Sequence, residues 1–130
     1  MSGRRSIAVP GFSHGDQPIP AASRVGPLVV TGGVYGLDRA RGAIPDDSAA
    51  QVQLTFENLA AIMEAAGGDL GSIARITFHV KHPSVRAAIN AEWLRHFPDP
   101  ESRPARHTLA NEGLAANMLL QCDAIGWIAD

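Results

Sequence analysis

A predicted helix followed directly by a predicted strand constrains the fold of this chain most. Apolar residues recur at helical spacing over residues 52–66, a pair of glycines ends the pattern, and Ser48 with Gln51 has the spacing of a capping box. Over residues 73–81 apolar and polar residues alternate, which predicts a strand with one buried face. We expect the helix to pack on that face. The apolar helix positions are Val52, Phe56, Leu59, Met63 and Ala66.

The other predicted elements complete an α+β fold with two helices on one face of a mixed sheet. Two strand-like segments near the end of the chain are joined by a glycine-containing connection, which predicts an antiparallel hairpin. The length fits a single domain over residues 1–130. The remaining predicted elements are strands at 6–9, 22–25 and 28–31, a second helix from Pro83 to about Phe97, and hairpin strands at 104–107 and 119–125.

The last strand is apolar on both alternations between Met118 and Ile128. Strands of this kind are buried on both faces. Because the two predicted helices cover only one face of the sheet, we expect self-association to cover the other. The sequence therefore predicts an oligomer.

The composition excludes several classes of partner. The formal net charge of −2 gives no general attraction to nucleic acid or to an anionic membrane. The sequence has no apolar run long enough for a membrane helix, and none follows Met1 as in a signal peptide. Since Cys122 is the one cysteine, we expect no intrachain disulfide and a cytoplasmic protein.

Arg106 is the main candidate for binding a ligand. In the predicted hairpin its guanidinium lies close to Gln121, Cys122 or Asp123 on the neighbouring strand. A fixed cation beside polar groups in an apolar segment is typical of a site that binds a small carboxylate bidentately. The alternatives are an ion pair with Asp123 and a salt bridge at a subunit interface.

Other polar residues are candidates around Arg106. Gln121 needs hydrogen-bond partners in its apolar strand, and it either orients water or substrate or is satisfied in an interface. Asp123 shares a strand face with Gln121 and either supplies a carboxylate or pairs with Arg106. Asn90 is a poor helix former in mid-helix and needs a partner in substrate or in a neighbouring subunit. We interpret Cys122, on the opposite face, as a small buried hydrophobe.

The histidines give weaker signals. His107 could transfer protons, but adjacent strand residues face opposite ways, so it should not share a cleft with Arg106. His14 lies in a loop that could fold over such a cleft. His79 and His82 face opposite sides at a strand end and predict no metal site.

Six short segments, spread from about Pro18 to Ile128, carry a family resemblance. They are Ala22-Ser23-Arg24-Val25-Gly26, Val30-Thr31-Gly32-Gly33, Phe56-Glu57-Asn58-Leu59, Glu64-Ala65-Ala66-Gly67, Asn90-Ala91-Glu92-Trp93 and Pro104-Ala105-Arg106. With these segments the chain resembles the Rid family, the reactive intermediate deaminases or YjgF-like proteins, also called L-PSP endoribonucleases. The spacing from Arg106 to Gln121 matches the distance between the family's site arginine and site carboxylate.

The resemblance implies a chorismate-mutase-like (YjgF) fold and a homotrimer around a central barrel of sheets, with clefts between subunits. It also implies hydrolysis of enamines and imines, released by pyridoxal-phosphate enzymes, to 2-oxo acids and ammonia without a cofactor. By the same resemblance Arg106 holds the substrate carboxylate, the backbone of Gly33 lines the cleft, and Asn90 lines the site.

Three positions depart from the family pattern. Ile19 stands where active deaminases carry a tyrosine, and Gly32 replaces their serine. Gln121 replaces their glutamate, and an amide neither takes up nor releases a proton at physiological pH. These departures leave Arg106 in place to bind the substrate carboxylate, but they remove polar groups around the reacting end of the substrate.

Three hypotheses follow. In the first, the protein is a deaminase in which Arg106 binds the carboxylate, backbone amides around Gly33 and Tyr35 hold the reacting end, and Gln121 positions the water. In the second, it binds a small carboxylate metabolite without turnover. A third, ribonuclease activity, rests only on the family's alternative name, and the acidic chain without a basic stripe argues against it.

Overall fold

A six-stranded mixed sheet and two α-helices make up the computed structural model, which describes residues 3–115 and 117–129. The predicted α+β fold is confirmed, since both helices pack on the same sheet face. The strands lie in the order β1-β2-β3-β6-β4-β5. They are β1 (Arg4–Ile7), β2 (Ala22–Val25), β3 (Leu28–Thr31), β4 (Ile73–Val80), β5 (Ala105–Ala110) and β6 (Leu120–Trp127), and the helices are α1 (Ser48–Ala65) and α2 (Val85–His96).

The core lies between the helices and one face of the sheet. The apolar stripe predicted for α1 is buried, and the rings of Phe56 on α1 and Trp93 on α2 both lie near Phe78 of β4, at centroid distances of 5.9 and 6.3 Å. In residues 3–115 and 117–129, neither helix is long and apolar enough to cross a membrane.

The predicted N-terminal cap of α1 was wrong. Asp47, rather than Ser48, is the N-cap, and its carboxylate accepts a hydrogen bond from the backbone N–H of Ala50. Gln51 does not reach back to the cap. Its side chain is fully buried and turns towards the loops beside the sheet.

The predicted antiparallel hairpin of the last two strands was also wrong. β5 pairs parallel with β4 at the edge of the sheet, whereas β6 lies between β3 and β4 and is antiparallel to both. The unit β4-α2-β5 is a parallel crossover, which a strand-helix-strand sequence forms readily. β6 takes the inner position because it is apolar on both alternations, and the more polar β5 takes the edge.

The sheet has one face covered by the helices and one open face. On the open face lie exposed apolar side chains from four strands. A surface of this kind is typical of an interaction site in a protein of this size. The side chains are Val25, Leu28, Val30, Leu109 and Trp127.

Candidate functional site

The guanidinium of Arg106 lies against aromatic rings on the helix-covered face of the sheet. Its Cζ is 5.1 Å from the ring centroid of Trp93 and 5.5 Å from that of Phe78, both within cation–π range. Its Nε donates a hydrogen bond to Oγ1 of Thr108, two residues along β5, at 3.0 Å. We call Arg106, Trp93, Thr108 and Asn90, which lies about one turn before Trp93 on α2, the anchor half-site.

Within the described residues, no carboxylate neutralises Arg106. Partial burial lowers the pKa of its guanidinium, and the nearby charge of Arg86 lowers that pKa further. A half-buried cation held by aromatic faces, with donors left over, can receive an anion bidentately. The ion pair with Asp123 considered from sequence is absent, because Asp123 lies 3.6 Å from His79 Nε2 instead.

Arg106 is not near Gln121 within one chain, contrary to the hairpin prediction. β4 separates their strands, and the sheet register aligns Arg106 with Ile76 and Ala124 on the buried face. Gln121 and Asp123 each lie an odd number of positions from Ala124 along β6, so their side chains point to the open face. His107 also points there, as expected from its position next to Arg106.

A β-bulge at Gly32 and Gly33 forms a second polar cluster. Val30 pairs with Ile125 and Val34 pairs with Cys122, so three residues on one strand stand opposite two on the other. The backbone N–H groups of Gly32 and Val34 donate to the carbonyls of Ala21 and Cys122, but the N–H of Gly33 has no acceptor among the described residues.

The hydroxyl of Thr31 holds the peptide that carries this free N–H. Its Oγ1 accepts from the N–H of Ala124 at 2.9 Å and donates to the carbonyl of Gly32 at 2.8 Å. Because the Gly32–Gly33 peptide is planar, fixing its carbonyl also fixes the direction of the Gly33 N–H. The buried Thr31 therefore orients a backbone donor, a role that the sequence did not reveal.

The side chains of Gln121 and His14 both contact Gly33. A Cβ at Gly33 would lie 2.6 Å from Nε2 of Gln121, so this amide packs directly on the glycine backbone. Nε2 of His14 lies 2.7 Å from the Gly33 carbonyl and must be the donor, because a carbonyl only accepts. Nδ1 of His14 is buried with no partner among the described residues. We call Thr31, Gly33, Gln121 and His14 the glycine half-site.

The loop that carries His14 is held in place by Tyr35. Its hydroxyl donates to the carbonyl of Ser13 at 2.6 Å, and its ring lies near Phe12 and His14. Partial burial raises the pKa of the Tyr35 hydroxyl, which therefore stays neutral. Ile19, in the same loop, is exposed and lines an apolar hollow of about 260 Å³ beside Gly32.

Buried polar residues on α1 form hydrogen bonds to the backbone of segments near the glycine half-site. Nδ2 of Asn58 donates to the carbonyls of Tyr35 and Leu37, both at 2.9 Å, which holds the segment that follows Gly33. Gln51 joins the loop before α1 to the segment before β6 through three hydrogen bonds. The sequence did not predict these roles for Gln51 and Asn58, because polar side chains in an amphipathic helix usually face solvent.

Cys122 is buried as the sequence predicts, and Asn90 lies in the middle of α2. Cys122 is fully buried, and burial raises the pKa of its thiol, so it remains a neutral hydrophobe. Asn90 is exposed on α2, three residues before Trp93. Because Asn90 is exposed, its amide is open to a ligand or to another chain.

Comparison with known proteins supplies the remaining context. The family model described as Endoribonuclease L-PSP matches residues 17–128. A 2-iminobutanoate/2-iminopropanoate deaminase of Salmonella typhimurium is 32% identical over 102 residues, 78% of this chain and 80% of the relative. The solved structure of RidA from an Antarctic Psychrobacter is 25% identical and superimposes with a TM-score of 0.87 over 95% of this chain and 99% of that one. The structure of Escherichia coli TdcF with bound serine has the same identity and TM-score, over 96% and 99% of the chains.

Proposed function

Because the chain belongs to the Rid family, the L-PSP endoribonuclease-like proteins, we propose that it hydrolyses small imine or enamine acids to 2-oxo acids and ammonia. The relatives named 2-iminobutanoate/2-iminopropanoate deaminase support this reaction class at modest identity. The observation that carries the proposal is the guanidinium of Arg106, which is held on two aromatic rings with no carboxylate partner in the described part of the chain.

The proposed reaction adds water across a C=N bond and then breaks the C–N bond. Arg106 binds the carboxylate next to the imine carbon, and this fixes the position of that carbon. The free N–H of Gly33 donates to the reacting end, and the amide of Gln121 orients the attacking water. Gln121 takes up no proton, so both protons of the water pass to the nitrogen, the first as water adds and the second as the C–N bond breaks. Ammonia leaves, and the oxygen of the water becomes the 2-oxo group.

We propose that the two half-sites meet between subunits. In one chain they lie on opposite faces of the sheet with β4 between them, so one small acid cannot touch both. Association of the chains would bury the exposed apolar side chains of the open face. We expect sedimentation equilibrium to give a homotrimer, and a stable monomer at micromolar concentration would contradict this arrangement.

The reaction is tested by generating imines with an amino-acid oxidase in the presence of semicarbazide, which traps them as semicarbazones. The protein should lower semicarbazone formation in proportion to its concentration, because it competes for the imine. Imines from alanine and from 2-aminobutyrate are the first to use, given the names of the relatives. No reduction with a panel of amino acids would remove the deaminase proposal.

Gly33→Ala is expected to lower turnover about tenfold or more, because the new Cβ would displace the amide of Gln121. The side chain of Gln121 can move away, so the free energy of unfolding should change by no more than about 1 kcal/mol. Gly32→Ala is the matched control, since its Cβ would meet nothing closer than 3.6 Å. Equal effects of the two variants on turnover would contradict the role given to Gly33 and Gln121.

A second function is favoured by the residues around the reacting end. Gln121, Ile19 and Gly32 stand at positions where active relatives carry ionisable or hydroxyl groups. The site therefore keeps Arg106 as the carboxylate anchor but lacks those polar groups. A non-catalytic carboxylate-binding protein fits this pattern. Thermal shifts with 2-oxo acids that disappear in Arg106→Ala, without any imine turnover, would favour binding over catalysis.

A further inference from the structure

Two arginine side chains converge on one residue at the edge of the sheet. Nη2 of Arg86, at the start of α2, donates to the backbone carbonyl of Thr108 at 3.1 Å. Nε of Arg106 donates to the hydroxyl of the same threonine at 3.0 Å. Each contact uses a single donor atom, so both guanidiniums keep further N–H groups for a ligand.

This arginine pair has no acidic partner in residues 3–115 and 117–129. Glu92, the one acidic residue of α2, is bound by Arg95 and His96. The first turn of α2 contains no acidic residue, so the positive end of the helix dipole adds to the two charges. Partial burial and the charge of Arg86 both lower the pKa of Arg106, as expected for two cations held close together.

Two like charges repel when nothing between them is negative, and an anion bound to both would remove the repulsion. A monocarboxylate uses one guanidinium as a bidentate partner and leaves the other unpaired. Resting on the proposed function, we infer that the substrate is a small acid with a second anionic group, held by Arg86 while Arg106 holds the carboxylate beside the imine. Asn90, one turn after Arg86 on α2, lies on the same helix face and can donate to that second group.

The test is a calorimetric comparison of three ligands. Here 2-oxobutanoate has one carboxylate, 2-oxoglutarate has two, and phosphoenolpyruvate has a phosphate as its second group. We expect at least one of the dianions to bind about tenfold or more tightly than 2-oxobutanoate at low ionic strength. Arg86→Gln should reduce this preference to within about twofold, and Arg86→Lys should keep part of it.

Arg95→Gln is the matched control, because it removes an arginine from the same helix that is already paired with Glu92. The preference should be unchanged in this variant. Equal affinity for all three ligands, or no binding of any, would overturn the inference. So would loss of the oligomer in Arg86→Gln, because Arg86 would then be paired with an acidic residue of a neighbouring copy.

The outcomes separate this inference from the proposed function. Hydrolysis of the 2-aminobutyrate imine without a preference for dianions would support the deaminase proposal and contradict the inference that the substrate has a second anionic group. Preferential binding of a dianion, lost in Arg86→Gln and without turnover of any imine, would support the arginine pair and remove catalysis.

Discussion

Arg106→Ala is expected to lower kcat/KM for imine hydrolysis by about a hundredfold or more. The guanidinium contributes charge-assisted hydrogen bonds to the substrate carboxylate, each worth about 1.5–3 kcal/mol, and about 1.4 kcal/mol corresponds to a factor of ten. The half-buried position against Trp93 and Phe78 limits competition from water. The measurement is the initial rate of imine loss across a range of substrate concentrations.

Two further variants separate ligand binding from general effects. Arg106→Lys keeps the charge but loses the planar pair of donors, so it should fall between the wild-type protein and Arg106→Ala. Arg41→Ala removes an exposed arginine that is paired with Asp38, outside the anchor half-site, and should not change the rate. A rate for Arg106→Ala within about threefold of wild type, in a folded protein, would show that Arg106 does not anchor the substrate.

Gln51→Leu is expected to reduce the free energy of unfolding by about 3 kcal/mol or more. The buried amide donates to the carbonyls of Pro45 and Asn117, both at 2.8 Å. Its Oε1 accepts from the N–H of Leu119 at 2.9 Å. Leucine fills similar space but leaves three part-buried backbone groups without these partners, and an unsatisfied buried group costs about 1–3 kcal/mol.

Gln53→Leu is the matched control, since it makes the same chemical change on the exposed side of α1. Urea denaturation should show a lower midpoint for Gln51→Leu and little change for Gln53→Leu. Similar midpoints for the two variants would mean that water replaces the lost partners, and the bridging role of Gln51 would be wrong.

The parts of the fold that were predictable from sequence are those set by local pattern. β2 and β3 begin and end where the sequence predicts them, on either side of Gly26-Pro27, and the apolar stripe of α1 is buried as expected. Strand order was less accessible, because nearness in sequence favoured a terminal hairpin. The two-sided apolar character of β6 indicated an inner strand, but it did not indicate which two strands pair with it.

The geometry of the candidate site was not predictable from the sequence. Arg106 and Gln121 were proposed from their residue types and Gly33 from the family resemblance, but the distribution of these residues over two faces of the sheet depends on strand order. The hydrogen bonds of Thr31 and Asn58, and the convergence of Arg86 and Arg106 on Thr108, were not predictable, because each depends on contacts between residues distant in sequence. Side-chain hydrogen bonds of this kind are fixed only once the tertiary structure is known.

If Arg106 receives the carboxylate of a small acid between neighbouring chains, a crystal structure of the protein grown with 2-oxobutanoate will show this most directly. We expect the ligand carboxylate within hydrogen-bond distance of the Arg106 guanidinium, with Gly33 of an adjacent copy facing its 2-oxo group. A guanidinium paired with an acidic side chain of the neighbouring copy, or turned to solvent with no ligand bound, would contradict it.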